Sequence, residues 1–163
     1  MTLVVQAHPV KDSYNAALLD AVRATEPDPR VVRLGQGDQL TVADCAAATR
    51  LVAIYPTWWG SLPAVLLDAV NSLIGPWIDG SEPANTSPLR SIKHVTVVTS
   101  HGSSKFINRL QGEPGLQLWR RSILPLCANR ATFRWQSLYG MDETSASERA
   151  DFVAAIATGS DFD

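Results

Sequence analysis

The stretch "RLVAIYPTWWGSLPAVLLDAV", residues 50–70, decides the fold. Its first seven residues form an apolar run that leaves at Pro56 and predict a strand over 50–56, buried on both faces. Leucine, valine and alanine then dominate from Leu62 to Leu73 and predict a helix, with Gly60 and Pro63 closing the loop before it. A doubly buried strand feeding a helix is the repeating unit of a parallel sheet. Between the two stand adjacent tryptophans, Trp58 and Trp59, a large aromatic surface for a loop.

Outward from this unit the same alternation recurs. Upstream, Leu3 to Ala7 reads as a buried strand and Tyr14 to Ala24 as a helix with Ser13 at its N-cap, stopped by "EPDP". Val31 to Leu34 is a second strand, followed by the turn "GQGD" and a short helix over Val42 to Ala48. Downstream, Ile74 to Arg90 carries Pro, Gly, Asn, Ser and Thr and reads as a loop of roughly 15 residues. His94 to Ser100 is a fourth strand, Leu116 to Leu124 is helical, and Ala131 to Tyr139 is a fifth strand. Ser145 to Ala157 closes the chain as a helix, "SASE" forming its capping box. Five strands alternating with helices predict an α/β fold with a parallel sheet covered on both faces, in the order 2-1-3-4-5.

Length and composition fit this reading. The 163 residues are the size of one domain, and 45% hydrophobic against 18% charged residues is material for a core. A net charge of -2 without a basic run argues against nucleic-acid binding. The one dense basic spot, "WRR" at Trp119 to Arg121, is expected on the solvent face of a helix. The start "MTLVVQAHPV" lacks the basic segment and long apolar run of a signal peptide, and no stretch approaches a membrane span. Cys45 and Cys127 stand apart without CxxC spacing and read as buried reduced thiols of a cytoplasmic protein. No metal site is expected.

In a sheet of this order, ligands bind beyond the carboxyl ends of strands 1 and 3. Three loops meet there. The first, "HPVKDSYNAAL" (8–18), enters the first helix, whose N-terminal amides suit a phosphate. Ser13, Asn15 and His8 add polar groups, although plain capping by Ser13 is the alternative. The second carries Trp58 and Trp59, placed to stack on a planar ligand or against a second subunit, unless one of them closes the core. The third, "TSHGSSKF" (99–106), offers small hydroxyl residues around Gly102, with His101 either a ligand contact or a solvated loop residue.

Together these loops resemble the flavodoxin-like NAD(P)H:quinone oxidoreductase family of the DT-diaphorase type. His8, Pro9, Ser13 and Asn15 match its phosphate loop, "PTWWGSLPAVL" (56–66) its aromatic Pro-Ala-x-Leu segment, and "TSHG" (99–102) its loop after the fourth strand. The resemblance implies a flavoenzyme. A hydride would pass from NAD(P)H through bound flavin to a quinone or similar acceptor. FMN is favoured over FAD, in a homodimer with the pocket at the subunit interface. It implies flavin contacts from His8, Ser13, Tyr14, Asn15, Pro56, Thr57, Trp58, Trp59, Thr99, Ser100, His101 and Gly102. The chain departs from the family at His101, where Gly is frequent. It also has Phe106 and Ile107 where a Tyr is found, and no His in "INRLQGEPG" (107–115). His101 is therefore the candidate for tuning charge on the flavin. The alternative is a flavin-binding or regulatory subunit without catalysis, which the missing Tyr and His favour. A hydrolase is disfavoured, because Ser13, Ser61 and Ser103 lack a G-x-S-x-G context.

Overall fold

Five strands form one sheet in the order β2-β1-β3-β4-β5: β1 (Thr2–Ala7), β2 (Arg30–Leu34), β3 (Arg50–Thr57), β4 (His94–His101) and β5 (Thr132–Leu138). All four pairings are parallel, as expected from the sequence. This computed structural model describes residues 1–81 and 86–160. Alternate residues of the strands feed two hydrophobic clusters, one on each face of the sheet. The larger holds Leu3, Val5, Ala53, Tyr55, Val95 and Val97 against α2 (Val42–Ala47), α3 (Ala64–Ile78) and the segment after β4. The smaller holds Val4, Val52, Ile54 and Val98 against α1 (Tyr14–Thr25) and α6 (Ala146–Thr158). Strands buried on both faces explain the continuous apolar runs. No helix among the described residues is long and apolar enough to cross a membrane.

Several elements differ from the expectation. α3 continues through Pro76 to Ile78, where the sequence predicted a loop from Ile74. Pro76 lacks an N–H, but the turn is held beyond it: Asp79 N–H donates to the Gly75 carbonyl at 2.9 Å and Trp77 packs on the larger cluster. Residues 82–85 of that expected loop lie outside the described residues. A further helix, α4 (Lys105–Leu110), was not expected; it is short and is stopped by left-handed Gly112 and Glu113. The helical stretch after it is α5 (Pro114–Leu118), then a π-turn over Trp119–Ile123 and a 3-10 turn over Leu124–Leu126. Pro125 has no N–H to continue an α-helix there.

Trp119 is not on the solvent face. It is buried, and its indole N–H donates to the Tyr55 hydroxyl at 2.8 Å, while Arg120 and Arg121 are exposed. A buried Trp is accommodated where its N–H finds such a partner. Cys45 and Cys127 are buried free thiols, their pKa values pushed up by burial to about 12 and about 11. The capping box of α6 is formed as read: Ser145 accepts from Glu148 N–H, and the Glu148 carboxylate accepts from Ser145 N–H.

Candidate functional site

The carboxyl ends of β1, β3 and β4 bring the three loops to one edge of the sheet. The first loop supplies α1 with an N-terminus of full length. Ser13 occupies the N-cap with extended backbone, yet its hydroxyl makes no capping bond. Its Oγ is buried without a partner, as is Oδ1 of Asn15 two residues on. Plain capping by Ser13 is therefore excluded. Unbonded buried polar atoms are uncommon in folded proteins. Here they stand beside the free amides of a helix end, which favour an anion. Tyr14 points elsewhere: its hydroxyl donates to the Arg149 carbonyl on α6 at 2.9 Å, and burial raises its pKa to about 12. His8 Nδ1 is 3.1 Å from the Val10 backbone nitrogen and 3.2 Å from the Val10 carbonyl oxygen, which ties the ring to its own loop. Its ring lies 5.9 Å from that of Trp58, linking the first loop to the second.

The second loop leaves β3 at Pro56 and Thr57, where Thr57 Oγ1 and Thr99 Oγ1 are hydrogen-bonded at 2.9 Å. Trp58 to Ser61 then make a tight turn closed by reciprocal backbone bonds of 3.2 and 3.0 Å. Its two central residues are left-handed, Trp59 at φ 54° and Gly60 at φ 75°, the pattern of a type I′ turn. Glycine takes that conformation freely, whereas for a bulky aromatic it is strained. Neither tryptophan closes the core: Trp58 is 42% exposed and Trp59 fully so. The turn is braced from α5, since Gly115 N–H donates to the Gly60 carbonyl at 3.1 Å and the Pro114 ring stands 3.4 Å from where a Cβ on Gly60 would be.

In the third loop Thr99, Ser100 and His101 belong to the end of β4 and are buried. His101 is thus no solvated loop residue. Its imidazole lies flat on the Tyr139 ring, with centroids 4.5 Å apart and planes 13° apart, and the centre of the tilted Trp135 ring is 6.2 Å away. Burial pushes its pKa down to about 4, with a smaller opposing contribution from the Asn108 side chain. Neither ring nitrogen has a hydrogen-bond partner. The ring is therefore neutral near neutral pH, because its charged form would lose hydration. Asn108 is buried on α4, its amide donating to the carbonyls of Ser103 and Ser104 at 3.1 and 2.9 Å, and it holds the loop closed.

A cleft of about 430 Å³ opens between these parts, lined by Thr57, Trp59, Gly60, His101, Gly102, Ser103, Asn108, Gln111 and Pro114. It joins the second and third loops. His8, Ser13 and Asn15 lie outside it, at the end of the neighbouring strand. Sequence reasoning missed Asn108, Gln111, Pro114 and Tyr139. Only Tyr139 left a signal, as the last member of the alternation Phe133, Trp135, Ser137, Tyr139.

No protein-family model and no curated protein matches the sequence. Solved structures do match. Smu.1420 from Streptococcus mutans superposes with a TM-score of 0.72 at 19% identity, over 97% of this chain and 97% of that one. The fold is flavodoxin-like. An NAD(P)H:quinone oxidoreductase from Methanothermobacter marburgensis gives 0.70 at 17% identity, over 97% and 92%. An FMN-dependent NADH-azoreductase from Bacillus anthracis, in complex with FMN, gives 0.63 at 10% identity, over 97% and 96%. On this flavodoxin-like frame the anion-suited end of α1 and the cleft beside His101 occupy one rim of the sheet. The residues present fit a flavin phosphate at the unbonded Ser13 and Asn15 atoms and a planar heterocycle in the uncharged cleft.

Proposed function

We propose that the chain is a flavin-dependent NAD(P)H oxidoreductase that binds FMN along this rim. The observation that carries the reading is the pairing of two features. Buried polar atoms lacking partners stand at the N-terminus of α1, and a cleft without charged side chains stands beside the neutral imidazole of His101. The quinone oxidoreductase and the FMN-dependent azoreductase that share the fold support the same chemistry.

Ser13, Asn15 and the first amides of α1 would hold the phosphate, with the His8 ring beside them. Thr57, Gly102 and the backbone of the third loop would line the ring, and Trp58 and Trp59 would wall it toward the open side. Bound flavin supplies two-electron transfer between NAD(P)H and a quinone-type acceptor. The protein's part is to orient the ring, exclude water behind it and place a neutral hydrogen-bonding group at its edge. Further flavin contacts are assigned to Pro56, Thr99, Ser100 and the backbone of Tyr14. The fully exposed Trp59 favours a homodimer in which one of the two tryptophans lies near the second copy.

The visible spectrum of the purified protein and steady-state NADPH oxidation with menadione test this reading. Flavin absorption bands with turnover are expected. A colourless protein that takes up no added FMN would overturn it, and a yellow protein inert with every acceptor would leave only flavin binding.

A further inference from the structure

We propose that Tyr139, which belongs to none of the three loops, is a positioning residue of the cleft: its ring fixes the plane of His101 and keeps the imidazole a neutral donor and acceptor for the ligand's heterocyclic edge. This rests on the flavin reading for the identity of the ligand and on the geometry around His101 for the rest.

Two aromatic rings stand near the imidazole. Tyr139 covers one face at 4.5 Å and 13°, and Trp135 stands at 6.2 Å and 49°. A flat stack of this kind resists rotation of the imidazole, so the direction of its two nitrogens follows from where Tyr139 stands. Tyr139 is itself fixed. Its hydroxyl donates to Glu113 Oε1 at 3.4 Å, and the Lys105 ammonium is 6.0 Å from its ring centre. The two residues after it stitch the third loop: Gly140 N–H donates to the Ser103 carbonyl at 3.0 Å and Met141 N–H to the His101 carbonyl at 2.8 Å. The end of β5 therefore holds His101 by backbone and by ring together.

The same packing decides the protonation state. Three charged groups face the pair: Lys105 from α4, Glu113 from the start of α5, and Asp142, whose Oδ2 is 3.1 Å from where a Cβ on Gly102 would stand. Lys105 opposes a proton on His101, and the two carboxylates favour one. Burial decides the state, against a smaller contribution from the Asn108 side chain, and keeps the ring neutral. A neutral imidazole offers one N–H and one lone pair, and both are unused within the protein. The carbonyls and imino N–H of a flavin's pyrimidine edge need both kinds of partner.

The test combines a titration of the ligand-free protein with a double-mutant cycle on FMN affinity. In the parent and in Tyr139→Phe, which keeps the stack, the His101 Hε1 resonance should titrate near pH 4. In Tyr139→Leu it should titrate more than one pH unit higher. Tyr139→Leu should weaken FMN binding about tenfold, a hydrogen bond's worth. In a His101→Phe background the same change should cost less than twofold, because Tyr139 acts through His101. An equal loss in both backgrounds, or an unmoved titration, overturns the inference while leaving the flavin reading intact. Absence of FMN binding to the parent overturns the flavin reading and with it the ligand assigned here, and the titration still decides the role of the stack. Should Tyr139→Leu fail to fold, the ring-current shift of His101 Hε1 in the parent, measured against the value for an unstructured histidine, reads the stack directly. Its absence overturns the inference.

Discussion

Two residues carry the electrostatics of the rim, and both make measurable claims. Ser13 stands with an unused hydroxyl at the end of a twelve-residue helix. Ser13→Glu would place a carboxylate where a phosphate is proposed. FMN affinity should fall by about a hundredfold or more, since two anions would share one set of amides. A fluorescence titration showing unchanged affinity would remove the first loop from the site. His101 makes a claim about stability. Its folded pKa of about 4 lies below the ordinary histidine value. Between roughly pH 6.5 and 4 the unfolded chain therefore binds more protons than the folded one. The stability linked to the neutral ring is complete above that window and is lost as pH falls through it, on the order of 3 kcal/mol in all. Urea melts at pH 7 and pH 4.5 should show a steeper loss for the parent than for His101→Phe. Equal losses would mean that the imidazole titrates normally.

At the scale of elements, the turn between β3 and α3 is the least relaxed part of the rim. Trp59 takes a left-handed conformation that favours Asn or Gly, and as a fully exposed side chain it gains no burial in return. Trp59→Asn should stabilise the ligand-free protein by about 1 kcal/mol. Gly60→Ala should destabilise it by a similar amount, because alanine inherits φ 75° with the Pro114 ring 3.4 Å from its Cβ. Thermal melts of both variants check the opposite signs. If Trp59→Asn also weakens binding of FMN or acceptor, the strain is retained for the site, in keeping with where such strain gathers in proteins. This turn also marks how far the sequence could be read. The apolar runs of β1, β3 and β4, the Leu-rich face of α3 and the Ser145–Glu148 capping box announce themselves locally, because burial on both faces and helix ends leave residue patterns. α4 left none. Six residues are too few for a helical period, and what holds it, the Asn108 amide on Ser103 and Ser104, becomes a bond only once the loop has folded. The continuation of α3 through Pro76 depends likewise on Trp77 reaching the core, a tertiary contact stronger than a local propensity. At the site, the loop positions were legible from the strand order. The unbonded state of Ser13 and the stacking of His101 were not, since both are made by neighbours distant in sequence.

For the whole molecule, the two faces of the sheet are finished at different times along the chain. The buried residues of the larger cluster fall between Leu3 and Cys127, with Phe133 and Trp135 of β5 packed against them. Its exposed rim, with Trp59 bare beside the cleft, is where a second copy is proposed to sit. Light scattering at micromolar concentration should give twice the mass of 17.7 kDa. A monomeric mass would place the tryptophans against small ligands alone. The smaller cluster joins the two ends of the sequence: Leu18, Leu19 and Val22 of α1 meet Phe152 and Ile156 of α6, and Tyr14 is tied to Arg149.

This closure by α6 has a consequence for the protein as it is made. A chain still emerging from the ribosome can lay its first helix on the strands, yet the flank of that helix toward α6 stays uncovered. Leu18 and Val22 are then only partly covered, and Tyr14, next to Ser13, lacks its tie to Arg149. The proposed phosphate grip therefore depends on α6, and a chain in which α6 has not yet docked should take up the cofactor poorly.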